Sequence, residues 1–193
     1  MTNIYGQKKV RIVGISGSLR KVSFSTALLK VLAEKAAPEI DLRVVTLEDI
    51  PFYNEDLDTQ PGIPAVEALK RTIAVSDGVL FSTPEYNHGI PGVLKNTLDW
   101  LSLPVFESCF KGKPVSIISS SMAFTGGVRA QYQLRETLIS MQAHLVMGPE
   151  VVVGGVHRKF SDESYTDTDG ITFMLHALGR LRDVVLSRSL VGV

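Results

Sequence analysis

Apolar positions along the chain fall into two alternating kinds of segment. Short runs rich in branched residues occur at Val10–Ile15, Leu42–Leu47, Gly78–Ser82, Val115–Ser119 and His144–Val153. Short apolar runs of this kind, set between turn signals, read as strands buried on both faces. Between them the period lengthens: Ala27, Leu28, Val31 and Leu32 share one helical face, and Leu94, Leu98 and Leu101 share another. Further helices are predicted at about Pro64–Val75, Gly126–Met141 and Gly170–Ser187. Strands that alternate with helices pair in parallel, because each helical crossover brings the chain back to the same end of the sheet. The pattern predicts an α/β fold with a doubly wound, five-stranded parallel sheet and helices on both faces. At 193 residues, a single domain spanning 1–193 is large enough to bury its core without a disulfide or metal.

In such a sheet, ligands sit beyond the carboxyl ends of the strands, so the loops that follow strands carry the chemistry. After the first strand comes Ser16-Gly17-Ser18-Leu19-Arg20-Lys21-Val22-Ser23-Phe24-Ser25-Thr26. A helix that starts here presents unpaired N–H groups and the positive end of its dipole to an anion. Ser16, Ser18, Ser23, Ser25 and Thr26 add hydroxyl donors, and Arg20 adds a forked guanidinium suited to phosphate. Two familiar glycine loops do not match. The loop lacks the Gly-Lys-Ser/Thr end of a triphosphate-binding loop, and with only Gly14 and Gly17 it lacks the third glycine of a dinucleotide fingerprint. A loop that donates mainly through hydroxyls suits a single terminal phosphate, such as that of flavin mononucleotide (FMN). The plainer alternative is a Ser/Gly-rich turn that only caps the helix.

The loop after the third strand, Thr83-Pro84-Glu85-Tyr86-Asn87-His88-Gly89-Ile90-Pro91-Gly92, mixes two prolines with two glycines. Its polar groups can therefore be held in fixed directions, as a flat heteroaromatic ring requires. Tyr86 is a candidate to pack near such a ring, and Asn87 or backbone amides to read its polar edge. Glu85 has a second reading as an anchor for its own loop, and His88 reads better as an exposed or interface residue than as a catalyst. After the fourth strand, Ser119-Ser120-Ser121-Met122-Ala123-Phe124-Thr125-Gly126-Gly127-Val128-Arg129 again sets hydroxyls and glycines ahead of a helix. Glu136 can form ordinary surface pairs with Arg129 and Arg135, and Arg129 reads equally as such a surface partner and as a pocket or subunit contact.

With these loops in order, the chain closely resembles the NADPH-dependent FMN reductase family, including its bacterial quinone and chromate reductases. The resemblance rests on Gly17-Ser18-Leu19-Arg20-Lys21 with Ser23-Phe24, on Pro84-Glu85-Tyr86-Asn87 with Pro91-Gly92-Val93-Leu94-Lys95-Asn96, and on Gly126-Gly127 with Arg129. It implies a flavodoxin-like fold with strand order 2-1-3-4-5, non-covalent FMN, and two-electron transfer from NADPH or NADH to an acceptor. Carried over residue by residue, Ser16, Ser18, Leu19, Arg20, Ser23, Ser25 and Thr26 fall on the FMN phosphate loop. Pro84, Glu85, Tyr86 and Asn87 fall beside the isoalloxazine, and Ser119, Ser120 and Met122 on the third flavin-contacting segment. Ser25 stands where relatives commonly carry asparagine, a change that still leaves a phosphate donor. The resemblance further implies a homodimer or homotetramer with the flavin pocket near a subunit interface, to which Trp100, Tyr132 and the helix after Gly92 are candidate contributors. Quinones are the expected acceptors, with chromate, azo compounds, ferric complexes and free flavin as further ones.

Composition narrows the alternatives. Lys+Arg and Asp+Glu both total 20, so net charge gives no reason to expect nucleic acid or an acidic membrane surface as partner. The longest apolar runs fall short of the ~18 residues of a membrane span, and the polar first residues lack a secretion signal. Cys109 is the single cysteine, which excludes an internal disulfide and is expected of a cytoplasmic protein. It has no evident activating partner, so an inert thiol is expected, and His88, His144, His157 and His176 show no metal-binding spacing. No catalytic residue is assigned, because a flavin carries the hard chemistry itself. The rival functions on the same scaffold are a flavodoxin-type one-electron carrier and a non-catalytic flavin-binding regulator.

Overall fold

The computed structural model describes residues 9–161 and 164–191. Five strands run parallel in the order β2-β1-β3-β4-β5: β1 Val10–Ser16, β2 Ile40–Val45, β3 Gly78–Pro84, β4 Pro114–Ser120 and β5 His144–Leu145. This is the strand order that the resemblance implies. A further strand, β6 Val151–Val153, also pairs in parallel with β4. The single outer strand expected over His144–Val153 is thus two short ones. Between them lies Met147-Gly148-Pro149, where the proline ring has no N–H to give to a ladder. Beyond the sheet, β7 Phe160–Ser161 and β8 Ser164–Tyr165 pair in antiparallel.

The helices are α1 Phe24–Lys35, α2 Pro64–Ala74, α3 Gly92–Leu101, α4 Val128–Ser140 and α5 Thr168–Val191. Each starts for a local reason where one is available. The Ser23 hydroxyl accepts from the Thr26 N–H of α1 at 3.2 Å, Pro64 opens α2, and the Asp167 carboxylate accepts from the Gly170 N–H of α5 at 2.9 Å. Helix α4 follows Gly127, at φ 87°, and has no side-chain cap of its own.

Strand alternation divides the core in two. Ile12, Leu80 and Ile118 pack with Leu28, Leu29 and Leu32 of α1 and with Leu178 and Leu181 of α5. Their neighbours Val13, Phe81 and Ile117 point the other way, into Leu69 and Ile73 of α2, Leu94 and Leu98 of α3, and Leu134 and Leu138 of α4. Successive side chains on opposite faces explain why the strands read as continuous apolar runs. Both faces being covered, polar loops are left only at the strand ends, and the carboxyl ends of β1, β3 and β4 adjoin one another through the β1–β3 and β3–β4 ladders.

Candidate active site

Ser16 ends β1 and builds the loop behind it. Its hydroxyl lies 2.8 Å from Thr26 Oγ1 and accepts weakly from the Ser18 N–H at 3.4 Å. The Ser18 hydroxyl accepts from the Arg20 N–H at 3.3 Å, and Gly17 N–H donates to the Ser82 carbonyl on β3 at 2.8 Å. A Cβ on Gly17 would stand 2.9 Å from Thr83 Oγ1, so this close approach requires glycine. The hydroxyls of Ser18 and Ser23 each accept a backbone N–H and keep a proton to donate. The Arg20 guanidinium sits 5.9 Å over the Phe24 ring.

These residues form one end of a cavity of about 180 Å³ lined by Ser18, Arg20, Ser23 and Ser25, with Pro84, Glu85, Tyr86, Ser120 and Met122 across from them. Nine of the sequence-predicted site residues therefore meet around one space. Leu19 lines an adjoining depression of about 350 Å³ that also touches Ser18, Arg20 and Tyr86. Ser16, Thr26, Asn87 and Ser119 do not line the cavity. Ser16 and Thr26 hold the loop, Asn87 is at the exposed tip of the next loop, and Ser119 is buried behind the wall. Phe24, Ser121 and Val156 complete the lining. Val156 carried no sequence signal: it arrives through β6 and donates its N–H to the Ser121 carbonyl at 3.1 Å.

The loop after β3 is held from a distance. Glu85 Oε2 accepts from the Arg129 N–H at 2.9 Å and the Ala130 N–H at 3.2 Å, while Arg129 Nη1 stands 3.6 Å from Glu85 Oε1. Glu85 thus caps α4 from another part of the chain, and Arg129 is its partner. Tyr86 and Gly89 exchange backbone hydrogen bonds of 2.9 and 3.0 Å, with Asn87 at φ 49° and His88 at φ 67° in the turn between them. Ile90 N–H then donates to Gln133 Oε1 of α4 at 2.7 Å. The charge of the one acid lining the cavity is met by a helix N-terminus and a guanidinium, so it does not repel an anion.

Behind the third segment, the Ser119 hydroxyl donates to the Gly126 carbonyl at 2.7 Å and accepts from Gln131 Nε2 at 2.9 Å. Gln131 Nε2 also donates to the Val151 carbonyl at 2.8 Å, joining β4, α4 and β6. Trp100 is not at an exposed interface position: it is 1% exposed, and its indole N–H donates to the Pro51 carbonyl at 3.0 Å. Tyr132 is 62% exposed and stacks with Arg135, whose carboxylate partner is Glu150. His88 is exposed. Cys109 lies against the Leu101 carbonyl, and burial pushes its thiol up to about 11, in keeping with an inert group. Among the described residues no group of His, Cys, Asp and Glu could hold a metal ion, and no helix is long and apolar enough to cross a membrane.

The donor set fits FMN. One end of the cavity offers a guanidinium, hydroxyl protons and a helix N-terminus to a phosphate, and the Ser25 hydroxyl there is buried without a protein partner. The other end offers Pro84, Tyr86 and Met122 as apolar surface for a ring.

Comparison with known proteins agrees with this geometry. Residues 10–158 match the family described as NADPH-dependent FMN reductase. An NAD(P)H-dependent FMN reductase from Pseudomonas aeruginosa is 40% identical over 151 residues, which cover 78% of this chain and 81% of that protein. A quinone reductase from Escherichia coli K12 is 40% identical over 160 residues, covering 81% of this chain and 84% of that protein. Among solved structures, a flavoenzyme NAD(P)H:(acceptor) oxidoreductase from Paracoccus denitrificans superposes with a TM-score of 0.83 at 31% identity, over 92% of this chain and 98% of that one. With its loops, its strand order and most of its length in agreement, the chain belongs to the NADPH-dependent FMN reductase family.

Proposed function

We propose that this chain, an FMN-dependent NAD(P)H oxidoreductase, passes two electrons to quinones, through an FMN seated between the β1, β3 and β4 loops. The observation that carries the reading is the convergence on one cavity of nine residues from three loops, phosphate donors from the β1 loop and apolar ring-facing surface from the β3 and β4 loops. When bound, FMN supplies the redox chemistry, taking up hydride from the nicotinamide and releasing two electrons to the acceptor. Ser18, Arg20, Ser23 and Ser25 fix its phosphate end. Pro84 and Tyr86 from one loop, and Ser120 and Met122 from another, frame the ring and hold it in one orientation. Glu85 works at one remove, pinning its loop to α4. No side chain is assigned a proton-transfer step.

Quinones are favoured as acceptors because the relatives from Escherichia coli and Arabidopsis thaliana are named quinone reductase and NADPH:quinone oxidoreductase. The rim of the site also supports a homodimer or homotetramer. Leu19, Tyr86 and Met122 line the cavity or the adjoining depression and are exposed, and Phe124, close in sequence to Met122, is 93% exposed, leaving apolar surface for a second copy to cover. We place residues 1–193 in a single FMN-binding domain and the protein in the reducing cytoplasm, in line with its free Cys109.

The test is an anaerobic titration of the FMN-loaded protein. The flavin band is expected to bleach with NADPH and to return on adding benzoquinone. Bleaching that persists in the presence of quinone overturns the acceptor assignment. Bound FMN that neither NADPH nor NADH bleaches overturns the reductase reading as a whole.

A further inference from the structure

Two side-chain oxygens among the described residues are buried without a protein hydrogen-bond partner, Ser25 Oγ and Ser82 Oγ. Both belong to the same corner of the fold. Ser25 starts the buried stripe of α1 that continues through Leu28, Leu29 and Leu32, so it faces the sheet. Ser82 is in register with Ser16 of β1, and it shares its strand face with Leu80, which packs on the α1 and α5 side. The Ser16 hydroxyl on that face already touches Thr26 of α1 at 2.8 Å. Ser82 is thus one strand further in, opposite the first turn of α1, where Ser25 follows the Ser23 cap.

Ser82 is 0% exposed and does not line the cavity, whereas Ser25 does. A hydroxyl has one proton to give and two lone pairs to receive with. If Ser25 gives its proton to the flavin phosphate, its lone pairs are open to a donor from behind. Ser82 stands behind it, and no direct bond joins the two. A buried water commonly sits among about three polar partners, and a chain of aligned O–H groups strengthens its last donor, so a single water between these two hydroxyls would satisfy both.

We propose that Ser82 is a positioning residue for the flavin phosphate: it donates to one ordered water, the water donates to Ser25 Oγ, and Ser25 donates to the phosphate. All protons in this relay point toward the anion. The inference rests on the FMN reading and adds to it a residue that never touches the cofactor. It also gives a role to the hydroxyl of Ser82, which is buried in β3 without a protein partner.

The test compares FMN with riboflavin, which lacks the phosphate, on the full chain. Ser82→Ala is expected to weaken FMN binding about three- to tenfold, the size of one hydrogen bond, and to leave riboflavin binding unchanged. The ³¹P resonance of bound FMN is expected to shift, the melting temperature of the flavin-free protein to hold or rise, and Ser82→Thr to restore FMN affinity. Ser25→Ala and Ser82→Ala are expected to be non-additive, because the second breaks a relay that the first has already cut. Unchanged FMN affinity in Ser82→Ala overturns the proposal while leaving the cofactor reading intact, and so does an equal loss for riboflavin, which marks a packing defect. If the unaltered chain binds FMN no more tightly than riboflavin, the phosphate-site reading itself fails, and the relay with it.

Discussion

The β1–α1 loop and the β3–α3 loop face the same cavity but are held in opposite ways. In the first, each side-chain hydrogen bond joins residues close in sequence: Ser16 to Ser18 and Thr26, Ser18 to Arg20, Ser23 to Thr26. In the second, the holding partners are Arg129, Ala130 and Gln133, more than forty residues away on α4. The first loop still leans on β3 through the Gly17 N–H to the Ser82 carbonyl, but its side chains order one another locally, whereas the side-chain anchors of the second exist only once α4 has docked. The side chains of the proposed phosphate end are thus arranged mainly by the chain's immediate sequence, and those of the proposed ring end by tertiary structure.

Substitutions can break this contrast. The largest effect is expected for Arg20→Ala, which removes the charged fork but no remote contact. FMN affinity should fall roughly 10- to 100-fold, with riboflavin affinity and melting temperature nearly constant. A comparable fall for riboflavin would show that Arg20 serves the ring end as well. Next comes Glu85→Ala, which strips α4 of its borrowed cap. A loss of about 1–2 kcal/mol in urea unfolding is expected, together with a changed spectrum of bound flavin, because loop and helix loosen together. Glu85→Gln keeps an acceptor and should cost less. Ser23→Ala removes the α1 cap and one phosphate donor, at about 1 kcal/mol of stability. Here the damage should stay local, leaving the flavin ring spectrum unmoved at saturation.

The smallest effect lies outside both loops. Burial raises the Cys109 thiol from 9.0 to about 11, so between those values the unfolded chain loses a proton that the folded chain keeps. This group's contribution is complete below about pH 9 and is lost as pH climbs toward 11. Cys109→Ala should flatten part of the alkaline decline in melting temperature. Thiol reagents should react slowly at neutral pH and faster on unfolding, and rapid labelling of the native protein would contradict the inert assignment.

The same local-versus-remote divide decides how much could be read from sequence. The strand order and the helices followed from periodicity and the resemblance, and Ser18, Arg20, Ser23 and Ser25 from the character of one loop. A loop rich in hydroxyl donors at a helix start is visible in adjacent residues. The second role of Glu85 was open in the sequence, because a carboxylate gives no sign of which helix it will cap. Val156 was invisible, since it reaches the cavity only through the pairing of β6 with β4. Trp100 misled for a related reason: a large amphipathic ring suits an interface, but Pro51, far off in sequence, supplied the partner that draws it inside. The outer strand is shorter than its apolar residues suggest because Gly148-Pro149 interrupts it.

That interruption also shapes what this border of the sheet offers to another chain. An uninterrupted outer strand would offer a row of free N–H and C=O groups on which another sheet could grow. Here the border consists of β5, two residues long, and β6, three residues long, with a proline between them. No continuous ladder is on offer there, which disfavours association at this border by strand addition. A partner meeting this border would be read by side chains, which can be selected for one partner, more than by backbone, which accepts any.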